Sequence, residues 1–373
     1  MNKKAFIASI ATSKKPIKVS NEHFIEVDAK VRDHIRQDPK IKEFAADMTR
    51  KTTIRSRYTI TPFFIPEDER PDDVEDIFTP ENFCPSPKKR LKFWLDYGIP
   101  MGIEAAEQAL KEWGKPKDQI SHVIAVSSTG NYQPGLEQAV IETLGLSLDC
   151  EKVGIYDAGC GSGICALRLA KDAVLAGATG VLVVGSEVSS AAYDPLAMYT
   201  SSINANALFA DGAAAAVIAP EGEWKIEKMG NSIVKDSAHM MYFGLDIHSP
   251  SARGTELFIH PQIGSRLAKF FKQEKGSEIL DDILSHTKTH PAFAVHLGGP
   301  LPYKMRPALT SRGWPKDVLD LSLNTLQENG NMIFVSIFNV LLNTMKQVDN
   351  DNIVLMAFCT GLSVEWGLIS KNT

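Results

Sequence analysis

The residues best suited to chemistry are a cysteine, a histidine and an asparagine, each set beside glycine. Cys160 stands in Gly159-Cys160-Gly161, where an apolar run ends and a helix-patterned segment (Ala166, Leu167, Leu169, Ala170, Ala173, Val174) begins. His296 lies in the apolar stretch Ala292-Phe-Ala-Val-His296-Leu297, and Gly298-Gly-Pro follows. Asn331 closes the glycine turn Glu328-Asn-Gly-Asn331 ahead of a second helical pattern. A thiol at a helix start meets unpaired N–H groups and the positive end of the helix dipole. Cysteines so placed lose several pKa units and become strong nucleophiles. With histidine as acid–base partner and asparagine as amide donor, the set suits nucleophilic thiol catalysis. Taken singly, each has a plain structural role: a buried cysteine, a core histidine, a helix-capping asparagine. Their joint occurrence with a turn rich in helix-weakening glycine argues for a site.

Ligands collect at the strand ends of open α/β sheets, and the surrounding sequence supplies such strands. At 373 residues the chain exceeds one typical core, implying two domains or one duplicated α/β unit. His122-Val-Ile-Ala-Val-Ser-Ser128 reads as a strand, and a loop from Thr129 to Gly135 leads into a helix to about Leu144. The Cys160 strand and helix come next, then apolar runs at 180–187 and 213–219. Such continuous runs belong to sheets covered on both faces. The break at Pro220-Glu-Gly-Glu divides the chain into 1–220, with Cys160, and 221–373, with His296 and Asn331. In the second part the pattern predicts helices near 261–274, 277–287 and 332–345, and strands at 292–297, 353–358 and 363–369. Both parts share an order of strand, glycine turn and helix.

The remaining features narrow the class. A net charge of −5 gives no whole-molecule case for nucleic acid or an anionic membrane. The five cysteines (84, 150, 160, 165 and 359) show neither framework spacing nor a zinc pattern, which fits a reducing compartment and no metal. The N-terminus faintly imitates a secretory signal, but a first strand is the better reading, and no apolar run nears the roughly 20 residues of a membrane helix. A cytoplasmic protein is expected. Residues 20–50 read as charged helix and 62–93 as a long surface loop, with a helix from about 92 to 113. Between them, Arg50, Lys51, Arg55 and Arg57 form a basic cluster that suits either a polyanion or a solvated helix end.

Several blocks together resemble the type III polyketide synthases, the chalcone synthase-like enzymes of the thiolase superfamily. Gly159-Cys160 with Ala166-Leu-Arg-Leu-Ala-Lys-Asp172 resembles the nucleophile segment, and Val181–Glu187 and Ala207–Ala213 the next two blocks. His296-Leu-Gly-Gly-Pro300 is similar to the family's His-Pro-Gly-Gly-Pro motif, and Gly330-Asn331-Met332 to its Gly-Asn-Met motif. The resemblance runs in order from about residue 50 to the C-terminus. It implies an α/β thiolase-like fold, two similar halves in a five-layer αβαβα sandwich, and a homodimer. It also implies that Cys160 takes an acyl group from acyl-CoA. His296 would pair with the thiolate, and His296 with Asn331 would hold the malonyl-CoA thioester oxygen as carbon dioxide leaves. Coenzyme A thioesters would then be substrates, with no other cofactor.

By the same resemblance, Phe209 is a gate between coenzyme tunnel and cavity, and Leu257, beside Phe258, takes the place of a second gate phenylalanine. Ser189, Ala192, Thr129 and Ile333 fall at cavity positions, and Ile333 should narrow its wall. Lys51, Arg55 and Arg57 fall near the coenzyme phosphates. The chain departs from the family at Gly161, where an aromatic is usual, at Asp157, and in the loop Phe358-Cys359-Thr360-Gly361. Gly161 is expected to enlarge the space beside the nucleophile. A ketoacyl-ACP synthase III-like enzyme, condensing once and drawing its extender from a carrier protein, uses the same three residue types. A non-catalytic ketosynthase-like subunit would commonly lack the cysteine, and a cysteine protease lacks this motif context.

Overall fold

The computed structural model describes residues 3–35, 38–156, 158–196, 200–244, 256–260, 262–296, 298 and 302–372. For 201–202, 243–244, 256–259 and 302–303 the description is of backbone alone. The N-terminal apolar stretch forms strand β1 (Phe6–Thr12), as its composition predicts, and β2 (Ile17–Ser20) follows. The charged stretch after it is two helices, α1 (Asn21–Ile35) and α2 (Pro39–Lys51). Proline suits a helix start and not its interior, and Asp38 caps α2 by accepting from the N–H groups of Lys40 and Ile41. β3 (Ser56–Thr59) pairs with β2. The long loop leads to α3 (Pro87–Phe93), a π-helical turn and α4 (Ile99–Trp113).

Then come β4 (His122–Ser127), α5 (Leu136–Leu144), β5 (Glu151–Tyr156), α6 (Ser162–Ala176) and β6 (Val181–Val188). α7 (Thr200–Leu208), β7 (Asp211–Ala219) and β8 (Trp224–Ile233) follow, then the pair β9 (Met241–Gly244) and β10 (Glu256–Ile259). The rest is α8 (Ile263–Gln273), α9 (Lys275–Ser285), β11 (Ala292–His296), α10 (Pro302–Thr310) and α11 (Asp320–Asn329). α12 (Val335–Gln347), β12 (Asn352–Cys359) and β13 (Ser363–Lys371) close the chain.

Nine strands form one mixed sheet in the order β11-β12-β13-β8-β1-β7-β6-β4-β5. β1 meets β8 through just two residue pairs, Phe6 with Lys225 and Ile7 with Trp224, so the sheet is two lobes joined at a narrow waist. Strand alternation sends neighbouring residues to opposite faces. In β12, Ile353 and Leu355 join one core cluster, and Val354 and Met356 another. The first cluster is central: Ile164 and Leu167 of α6 and Ile337 and Phe338 of α12 pack between Val126 and Val183 of one lobe and Ala294 and Leu355 of the other. Outside the first lobe, α4 and α5 pack through Met101, Ala105 and Val140. Outside the second, α8 to α11 pack through Leu267, Ile283, Met305 and Leu326. The layers are therefore helix, sheet, helix, sheet, helix, the expected αβαβα sandwich. Among the described residues, no helix is long and apolar enough to cross a membrane.

Candidate active site

Gly159 adopts φ +66°, a left-handed conformation that glycine accepts without strain, and opens a single 3₁₀ turn, Gly159–Gly161. Both the N–H and the hydroxyl of Ser162 return to the Gly159 carbonyl and seal that turn. Cys160 is therefore ahead of α6 and not within its first turn as expected. Its electrostatics also differ from expectation. Burial is the largest influence on the thiol, with the Cys359 sulfur and the Glu187 carboxylate adding to it, and together they push its pKa above the ordinary cysteine range. The hydrogen bond from its own N–H acts the other way and is outweighed.

His296 ends β11 opposite Ala357 of β12 and is 1% exposed. Its Nε2 is buried without a hydrogen-bond partner, and burial lowers its pKa to about 3. The resting electrostatics thus favour a neutral thiol and a neutral imidazole over an ion pair. An unpartnered buried nitrogen is costly unless a visiting group completes it. The sign for stability follows. The unfolded chain binds a proton near the ordinary histidine pKa of 6.5 and the folded one only near 3, so stability falls as pH drops between those values. From about pH 7.5 to about pH 5 this histidine should cost about 2 kcal/mol in urea unfolding, a loss that His296→Gln escapes. Equal losses in both proteins would contradict a buried neutral histidine.

Asn331 is 2% exposed and its main chain is strapped on both sides. Its N–H donates to the Leu208 carbonyl at 2.9 Å, and its carbonyl accepts from the Ala210 N–H at 2.8 Å. Its side-chain Oδ1 accepts from the Ile333 N–H at 2.8 Å. With the oxygen engaged, the amide NH₂ is left to donate elsewhere. Asn331 does not cap α12, which begins at Val335. The bond to Ile333 comes with strain: Ile333 is buried at φ +51°, a conformation that costs a β-branched residue about 1–3 kcal/mol.

One end of the second lobe gathers the three residues. The 159–161 turn lies against the end of β12, since a Cβ built on Gly161 would stand 1.9 Å from the Cys359 sulfur. Cys359 is two residues beyond Ala357, the partner of His296. A Cβ on Gly298, two residues past His296, would stand 3.7 Å from Asn331 Nδ2. A small cavity also borders His296, lined by Ser322, Thr325, Asn329, Ser336 and Asn339. The expectation that Gly161 loosens the space beside the nucleophile is overturned, because Cys359 and Glu365 fill it. Glu187, which sequence reasoning did not single out, is fully buried near Cys160 and accepts from the N–H groups of Ser128 and Thr129 and from the Thr129 hydroxyl. A carboxylate at the end of an otherwise apolar strand was its available sequence sign.

The other expected positions divide. Phe209 is half-buried and forms a backbone bridge with Asn331. Ser189 is buried with an unpartnered hydroxyl, whereas Ala192 is exposed. Thr129 is engaged in holding Glu187. The backbone of Leu257 pairs with Phe243; its side chain, that of Phe258, and Asp157, Leu297, Gly299 and Pro300 lie outside the described residues. Lys51 and Arg55 are exposed and ion-paired with Asp47 and Glu328.

Arg57 is different from its neighbours. It is 2% exposed, stacks 3.9 Å over the Phe24 ring, and donates to the carbonyls of Asn206, Ala207 and Phe209 and to Asn21. Its donors thus serve the end of α7 and not a surface ligand, and burial lowers its pKa to about 9. Arg57→Ala should cost about 3 kcal/mol in denaturant unfolding, since it leaves buried carbonyls unpaired. Lys51→Ala and Arg55→Ala should leave stability nearly unchanged, since both are exposed ion pairs.

The comparisons with known proteins fit this geometry. The family model described as chalcone and stilbene synthases, N-terminal domain, matches residues 2–222. The crystal structure of PKS-I from the brown alga Ectocarpus siliculosus is 22% identical with a TM-score of 0.87, covering 100% of this chain and 99% of that one. The C-terminal type III polyketide synthase domain of Steely1, a type I/III hybrid from Dictyostelium, is 20% identical with a TM-score of 0.84, covering 99% and 100%. At these identities the likeness speaks for the fold, while the family match spans more than half of the sequence. The chain belongs to the chalcone and stilbene synthase family.

Proposed function

We propose that the protein is a type III polyketide synthase, an acyltransferase that loads an acyl group from acyl-CoA onto Cys160 and extends it with malonyl-CoA. The observation that carries this reading is the convergence of Cys160, the unpartnered Nε2 of His296 and the amide nitrogen of Asn331 at one strand end. The Cys160 sulfur attacks the thioester carbon and its proton leaves with the departing coenzyme A sulfur, while neutral His296 keeps its own proton on Nε2 for the next step. Malonyl-CoA then places its thioester oxygen against the Nε2–H of neutral His296 and the NH₂ of Asn331. As carbon dioxide leaves, negative charge grows on that oxygen, so donors fixed in advance act mainly on the transition state. The enolate carbon attacks the acyl thioester and expels the Cys160 thiolate, which regains a proton from solvent, so the chain is longer by two carbons and now rests on coenzyme A, with or without a closing cyclisation.

Two further points belong to the proposal. β5 is the last strand of the sheet, and its residues 151–154 are exposed, including the large apolar Val153. Open strand edges invite pairing, so a homodimer through this edge is the assembly we infer. Lys51 and Arg55 remain the candidates for the coenzyme phosphates. The test is incubation with a panel of acyl-CoAs and malonyl-CoA, without any carrier protein, and identification of products by mass. Chain-extended products support the reading. Turnover that depends on an acyl carrier protein would replace it with a single-condensation enzyme.

A further inference from the structure

We infer that Cys359 determines acyl specificity: its side chain is the wall beside the acyl group on Cys160 and limits the width of group the site accepts. This rests on the reading of Cys160 as acyl carrier. The geometry begins at Gly161, the residue after Cys160. A Cβ there would lie 1.9 Å from Cys359 Sγ and 2.9 Å from Glu365 Cγ. Unbonded carbon and sulfur do not approach so closely, so the volume that a side chain at 161 would fill already belongs to position 359.

That wall is held from several sides. Cys359 is 6% exposed at the end of β12, and its sulfur takes hydrogen bonds from the Gly161 N–H and from Ser363, its partner across the hairpin. Glu365 behind it is anchored by Arg168 of α6 at 3.3 Å. Thr360, the next residue, lies 3.8 Å from a Cβ built on Gly159, so the hairpin covers the whole nucleophile turn. The sulfurs of Cys359 and Cys160 are electrostatic neighbours. Cys359 is not read as a second nucleophile, because its sulfur is buried and already engaged by the Gly161 N–H and Ser363. Its contribution is shape.

Removing a group of methylene size from a pocket wall shifts discrimination by about 10- to 200-fold. Loading of hexanoyl-CoA and benzoyl-CoA onto Cys160 should be timed by intact mass in wild type, Cys359→Ser, Cys359→Ala and Cys359→Gly. The benzoyl-to-hexanoyl rate ratio should rise about tenfold or more in the Ala and Gly variants and stay near wild type in Ser. Gly161→Ala should load slowly, and adding Cys359→Gly should recover about tenfold of that loss. The same ratio is read without any coenzyme A chemistry by alkylating Cys160 with iodoacetamide and with its bulkier N-benzyl analogue. An unchanged ratio in both Cys359→Ala and Cys359→Gly overturns the inference, even if Gly161→Ala fails to fold. A wild-type Cys160 that takes no acyl group from any acyl-CoA sinks the functional reading instead, while the alkylation ratio still decides whether the wall exists.

Discussion

Cys160→Ala should show no acyl adduct by intact mass after incubation with any acyl-CoA, and condensation products should vanish entirely. Alanine offers no group that can form a thioester, so this loss has no partial form. The same variant should still release carbon dioxide from malonyl-CoA, because His296 and Asn331 remain in place. The second activity makes the first result informative, since a misfolded protein would lose both. Cys165 and Cys359 are the thiols that could substitute, and burial raises the pKa of each. An acyl adduct that persists in the alanine variant would reassign the nucleophile to one of them.

The second large effect is the mirror image of the first. Asn331→Ala should retain acyl loading and lose about 10²–10³ in decarboxylation and turnover, the usual consequence of deleting one oxyanion donor. Its side chain is already oriented by the Ile333 N–H, and its main chain is tied to Leu208 and Ala210. The alanine variant keeps the two main-chain bonds, so the backbone should hold and the loss should fall on kcat more than on KM. Stopped assays that follow loading and carbon dioxide release separately would check this. A loss confined to loading would remove Asn331 from the role proposed for it.

Much of the framework was readable because burial is written into composition. β6 and β7 are buried along their whole length, as their continuous apolar runs predict. β5 shows the limit of that rule: Val153 is apolar, yet it is exposed together with Glu151, Lys152 and Gly154 because this strand ends the sheet. β8 escaped notice because its alternation, Trp224 and Ile226 against Lys225 and Glu227, is short and breaks at Lys228, although it pairs with both β1 and β13. The basic cluster gives a sharper lesson. Lys51, Arg55 and Arg57 look equivalent along the chain, and only the contacts with α7 and Phe24 separate a buried guanidinium from two surface cations. The three candidate catalytic residues were legible from their glycine surroundings. The filled space at Gly161 was not, because the Cys359 sulfur that fills it is about two hundred positions away in sequence, and the raised pKa of Cys160 was not, because it comes first from burial in the folded chain.

The strapping of Asn331 has a mechanical consequence. Residues 208–210 and 330–332 are joined by hydrogen bonds on either side of Asn331, so Phe209 and the amide donor ride on one rigid piece. Side-chain substitutions at Phe209 can change the width of a passage and leave the donor where it is. A one-residue insertion or deletion near 209 would instead drag Asn331 out of alignment with His296. Among redesigns of this protein, those that keep the length of this segment should keep turnover, and those that change it should lose decarboxylation before they lose the fold.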